Sequence, residues 1–123
     1  EDALLQSKLM QFEVELMALE FTALRLLSAN QQSKTPGVEA SMLKVRGTEL
    51  RQAIFEALLD IAGPDAVPFS LDAQNLEHLD EAVTDPTLVA LAANCLDARK
   101  LTIYGGTNEV QRNLIARATL DAF

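Results

Sequence analysis

Residues 99–120 read RKLTIYGGTNEVQRNLIARATL, with a bend at their middle. Paired glycines, Gly105 and Gly106, reach backbone angles closed to other residues and make a tight turn. Thr107 follows as a natural N-cap. Glu109 stands in the first turn of the helix so opened, where a carboxylate suits the helix dipole. Val110, Leu114 and Ala118 carry that helix on, with Arg112 and Arg117 near its flanks. The segment is a glycine turn opening a helix whose free N–H groups can receive an anion, or can simply join two helices.

Working upstream, Asp85 and Pro86 have the chemistry of an N-cap and a first helical residue, and Leu88, Leu91, Ala92 and Cys95 give a short helix an apolar face. Before it, Asp65 to Asp85 form a connection with six carboxylates, no Lys or Arg, and the single histidine, His78. This acidic loop, 65–85, holds −6 of the net −8 and reads as solvated. Gly63-Pro64 stops a helix running from about Val38 to Ala62. Its expected core face is Leu43, Gly47, Leu50, Ile54, Leu58 and Ile61, with Glu49, Gln52, Glu56 and Asp60 pointing away. Gly47 within that row predicts a close backbone approach by a neighbouring helix.

Asn30 to Pro36 is a polar turn. From Leu5 the residues Leu5, Leu9, Phe12, Leu16, Leu19, Ala23 and Leu26 recur in steps of four and three, one face of a helix of about six turns. A second row, Met10, Val14, Met17, Phe21 and Leu24, lies about 150° around the cylinder. Such a helix asks to be covered on two sides, by its own domain and by another domain or subunit.

The 123 residues leave room for one domain. Leu and Ala dominate, glycine (5) and proline (4) are scarce, and aromatics are 5%, which favours helix over sheet. The expected fold is all-α, an up-and-down bundle of two long and two shorter helices. Eighteen acidic groups against ten basic ones, with Arg99-Lys100 the only adjacent basic pair, argue against nucleic acid. No apolar run is long enough to span a bilayer, and the start lacks the pattern of a signal peptide. One cysteine excludes an internal disulfide and fits a reducing, cytoplasmic compartment. Cys95 reads as a small core residue and His78 as solvated polarity, and together they lack the parts of a metal site or a Ser-His-Asp or Cys-His machine. The missing initiator Met suggests a piece of a longer polypeptide.

The string Ile103-Tyr104-Gly105-Gly106-Thr107-Asn108-Glu109-Val110-Gln111-Arg112-Asn113, within Arg99 to Ala116, resembles the C-terminal signature of acyl-CoA dehydrogenases. Pro36-Gly37-Val38-Glu39-Ala40-Ser41-Met42-Leu43-Lys44-Val45, followed by Glu49-Leu50, is similar to the helix at the middle of that family's C-terminal bundle. The order of helices, turns and loop also fits, so the resemblance covers nearly the whole chain, 1–123. It implies a three-domain flavoenzyme that introduces a Cα–Cβ double bond into an acyl-CoA thioester, using FAD and an electron-transfer partner. This chain is then most of its C-terminal helical bundle. The bundle's first helix, with the family's Arg-x-x-Phe-Gly stretch, is expected just before Glu1. Homo-oligomers, dimers or tetramers, built through the bundle are usual in the family.

Carried over residue by residue, Gly105 and Gly106 match the pair at the reacting end of the acyl chain. Thr107, Asn108 and Glu109 match the stretch that contacts FAD. Asp60-Ile61-Ala62-Gly63 lies where many members have Gln-x-x-Gly against the FAD of a neighbouring subunit. A carboxylate is unfavourable beside a pyrophosphate, so Gly63 is the cofactor residue carried forward from that stretch. Many members place a glutamate, the base, where this chain has Gly105. Glycine has no titratable group, so no catalytic residue is assigned within these 123 residues, and the isolated chain is expected to be inactive. Two other readings stand beside this one: a stand-alone helical oligomerisation module, and a silent partner subunit or acyl-CoA oxidase of the same fold.

Overall fold

The computed structural model describes residues 3–30, 38–66 and 86–120. Among them are four α-helices and no strand: α1 (Ala3–Asn30), α2 (Val38–Ala62), α3 (Pro86–Ala98) and α4 (Asn108–Leu120). One 3-10 turn, Gly63–Ala66, follows α2, and another, Arg99–Thr102, follows α3. His78 and nearly all of the acidic connection lie outside the described residues, as do the polar turn after α1 and the Asp85 cap.

The helices form where the residues favour them. Over its 28 residues α1 contains neither glycine nor proline. Threonines inside helices are accommodated by bonding backward: the hydroxyls of Thr22, Thr48 and Thr119 donate to the carbonyls of Ala18, Lys44 and Ile115. α2 ends at Ala62 because Gly63 takes a φ of +63°, the left-handed conformation of a helix terminus. The chain then makes a further turn with Ala66 fully buried, so the connection begins later than the Gly63-Pro64 pair suggests.

The chain divides into two compact units, 1–50 with 102–123, and 51–101, with α2 contributing one half to each. In the first, an ion pair from Arg46 to Glu15 (3.0 Å) joins α2 to α1, and the two helices line a groove of about 190 Å³ floored by Ala18, Leu19, Met42 and Leu43. Arg46 also reaches Glu49, and Glu49 in turn accepts from Arg112 of α4. In the second unit, Ala57, Ala66, Cys95 and Ala98 are buried, and α3 packs on the 3-10 turn at Gly63–Ala66. Burial agrees with the reading of Cys95 as a small core residue.

Several expectations from the helical pattern are corrected. Leu58 and Ile61 are exposed, and the buried apolar residues of α2 are Val45, Leu50 and Ala57. Gln52 does not point away: its Nε2 donates to the carbonyl oxygens of Ala98 (3.0 Å) and Arg99 (3.5 Å). That accommodates two acceptors at the end of α3, where the last helical carbonyls lack partners within the helix. Among the described residues no helix closes on Gly47; a Cβ built there meets nothing within 4 Å.

The first apolar row of α1 is only partly covered. Leu5, Phe12, Leu19, Ala23 and Leu26 are half-buried, while Leu9 and Leu16 at the edge of the row are exposed. The second row is exposed throughout, from Met10 (66%) through Phe21 (62%) to Leu24. Fully burying a side chain of this size stabilises by about 1.5–3 kcal/mol, and the described residues leave a large part of that unrealised along this row.

Candidate functional site

The glycine turn after α3 lies at the surface of its unit. Ile103, Tyr104, Gly105 and Gly106 are all exposed, and the two glycines take φ of +70° and +90°. No other residue type holds such angles cheaply, which is why the pair stands here. A Cβ on Gly105 would meet open space, whereas one on Gly106 would come within 2.5 Å of the Gln111 side-chain nitrogen. The turn therefore offers bare backbone at Gly105, with the Gln111 side chain lying against Gly106.

Thr107 caps α4 as the sequence predicts. Its Oγ1 accepts from the Val110 amide (3.3 Å), and its carbonyl accepts from the Gln111 amide (2.9 Å). Glu109, in the first turn, has its carboxyl held below the ordinary value of 4.5. The main cause is a hydrogen bond from its own backbone amide, followed by the Thr107 hydroxyl, with the charges of Arg112 and Lys44 adding to the effect. An ionised Glu109 thus sits beside the turn. It is suited to accept hydrogen bonds from hydroxyls and unsuited to lie against a phosphate.

Asn108 behaves differently from its neighbours. It is 2% exposed, the sole buried polar residue among the described ones, and its side chain turns toward α2. Its Oδ1 accepts from Lys44 Nζ at 2.6 Å, and its Nδ2 donates to Thr48 Oγ1 at 3.2 Å. Any contact of Asn108 with a ligand would therefore come from its backbone. Sequence reasoning passed over Lys44, Thr48 and the Glu49–Arg112 pair. The available signal was a pair of polar residues four apart on a helix, Lys44 and Thr48, bordering the buried Val45.

A family model described as acyl-CoA dehydrogenase, C-terminal domain, matches residues 1–120. The chain belongs to that family. The all-α arrangement of its described residues is that of the acyl-CoA dehydrogenase C-terminal helical domain. No curated protein and no solved structure matches the chain.

Within this acyl-CoA dehydrogenase-type domain the candidate residues fall into two groups. Gly105, Gly106, Thr107, Asn108 and Glu109 are consecutive at the mouth of α4 in the first unit. Gly63 belongs to the second unit, half-buried at the end of α2 with open space where a Cβ would be, and Asp60 one turn earlier is exposed. Also in the second unit, Arg99 pairs with Glu56, whose hydrogen bond and charge hold the guanidinium pKa above its ordinary value. No helix among the described residues is long and apolar enough to cross a membrane.

Proposed function

We propose that residues 1–123 are the C-terminal helical domain of a longer FAD-dependent acyl-CoA dehydrogenase that desaturates an acyl-CoA thioester between Cα and Cβ. The observation that carries this reading is the exposed Gly105–Gly106 turn, which offers bare backbone at the capped start of α4. Its exposed main chain fits a flat, polar ligand edge, most openly at Gly105, and a helix N-terminus adds donors aligned with its dipole. Gly105 and Gly106 would border the acyl chain near the thioester. Thr107, the Asn108 backbone and Glu109 would face FAD, with Glu109 accepting from hydroxyls, and Gly63 would serve the cofactor of a neighbouring subunit. FAD supplies the redox chemistry; these residues bind and orient.

The proton acceptor would come from outside this segment, because Gly105 cannot supply it. The same glycine keeps a second reading in play, a catalytically silent subunit of a mixed oligomer. The exposed row on α1 supports a homo-oligomer, or cover by another part of the parent chain, under either reading.

Restoring the parent chain and following acyl-CoA desaturation with an artificial electron acceptor tests the proposal. Turnover with flavin absorbance in the purified protein supports the enzyme; flavin binding without turnover supports the silent subunit. Gly106→Ala in that protein should raise KM about tenfold, because small misplacements at a binding surface cost factors of this order or more. The isolated 123-residue chain should neither retain flavin nor oxidise acyl-CoA, and a yellow preparation of it would refute that expectation.

A further inference from the structure

Two glycines in succession at positive φ are the least constrained backbone a turn can have, and a binding surface works only when held to within about half an ångström. Something must fix the turn, and the residue placed to do so is Asn108, one position past the cap. Both ends of its amide are engaged. Lys44 Nζ donates to Oδ1 at 2.6 Å, a charge-assisted bond, and Thr48 Oγ1 accepts from Nδ2 at 3.2 Å. The Thr48 hydroxyl has three acceptors within reach, the Lys44 carbonyl (2.8 Å), the Val45 carbonyl (3.0 Å) and Asn108 Oδ1 (3.3 Å), and with its proton on the nearest it leaves a lone pair for Asn108 Nδ2. The ammonium of Lys44 can only donate, which sets Oδ1 toward it and ties the direction in which the chain leaves the turn to α2.

We infer that Lys44 and Thr48 are positioning residues, which act through Asn108 to hold the Gly105–Gly106 turn in its ligand-binding orientation. The inference rests on the proposed role of that turn. It adds to that role two α2 residues that touch neither substrate nor cofactor. A requirement for packing alone would be met as well by an apolar residue at position 108, which would bury no polar group and need no partners. A directional tie is what an amide adds.

The test uses the full-length flavoprotein with Thr48→Val, Thr48→Ser and Lys44→Met, and with Gly106→Ala altering the turn directly. Steady-state KM and kcat for acyl-CoA are measured beside hydrogen–deuterium exchange of the peptide covering 101–113. Thr48→Val and Lys44→Met should raise KM about tenfold with kcat within about twofold, the signature of lost binding without lost chemistry, and should speed exchange at the turn. Thr48→Ser, which keeps the hydroxyl, should restore both. If Gly106→Ala raises KM while Thr48→Val and Lys44→Met do not, the two α2 residues are structural only and the inference fails. If Gly106→Ala also leaves KM unchanged, the reading of the turn fails and takes the inference with it. Should Lys44→Met not fold, the contrast of Thr48→Val with Thr48→Ser decides alone.

Discussion

Up to Leu50, α2 is fastened by polar side chains: Lys44 and Thr48 to Asn108, Arg46 to Glu15, Glu49 to Arg112. From Arg51 onward it lies among small residues, with Ala57, Ala66, Cys95 and Ala98 buried and Gln52 bonded to the carbonyls closing α3. Hydrogen bonds and ion pairs have direction and fix the angle at which a partner helix departs. Contacts between alanines have none and only demand that the backbones come close. The half beside the Gly105–Gly106 turn is held mainly by such directional ties, whereas the other half has those of Gln52 and Glu56 and otherwise relies on closely packed small residues.

Substitutions should expose that contrast. The largest loss is expected from Asn108→Leu, which strips Lys44 and Thr48 of their partner; about 2–3 kcal/mol should disappear from the unfolding free energy in a urea titration. A cost below 0.5 kcal/mol would place Asn108 on the same footing as a surface residue. In the other half, Ala57→Leu should cost about 2 kcal/mol by overpacking, measured the same way, whereas Leu58→Ala, on the exposed side, should cost far less. Thr107→Ala should cost about 1 kcal/mol through the lost cap.

Smaller still, and opposite in sign, Gly47→Ala should gain about 0.5–1 kcal/mol, since a Cβ there meets nothing and the helix no longer carries an interior glycine. A loss instead would show that some other surface presses against α2 at that point. The subtlest effect concerns pH. The folded-state pKa of Glu109 lies below its ordinary value of 4.5, so its stabilisation is complete above that value and drains away as pH falls through the lowered pKa. Glu109→Gln should therefore flatten the stability profile on the acid side, the variant lying below the parent near neutrality and converging with it in acid.

Local rules account for much of what the sequence made readable. The spans of α2 and α3, the Thr107 cap, the left-handed turns at Gly63, Gly105 and Gly106, and the burial of Cys95 all follow from a few adjacent residues. What escaped were polar groups facing inward. Polarity predicts exposure for Gln52, and the family resemblance predicts an FAD contact for Asn108, yet each side chain is bonded to backbone or side-chain groups on a distant segment. Lys44 and Asn108 lie 64 positions apart, and no local pattern announces such a bond. Gly47 misled for the opposite reason: a residue that permits close approach does not require it. Of the candidate site, the turn was legible and its anchorage on α2 was not.

The bare ridge from Met10 to Leu24 has a consequence at the bench. The formal charge of −8 opposes indiscriminate association of copies in neutral buffer, but the isoelectric point is about 4.5. As acid titrates that repulsion away, the oily ridge persists, so the chain should be least soluble near its isoelectric point. Purification at mildly alkaline pH and low protein concentration follows directly from the side of one helix.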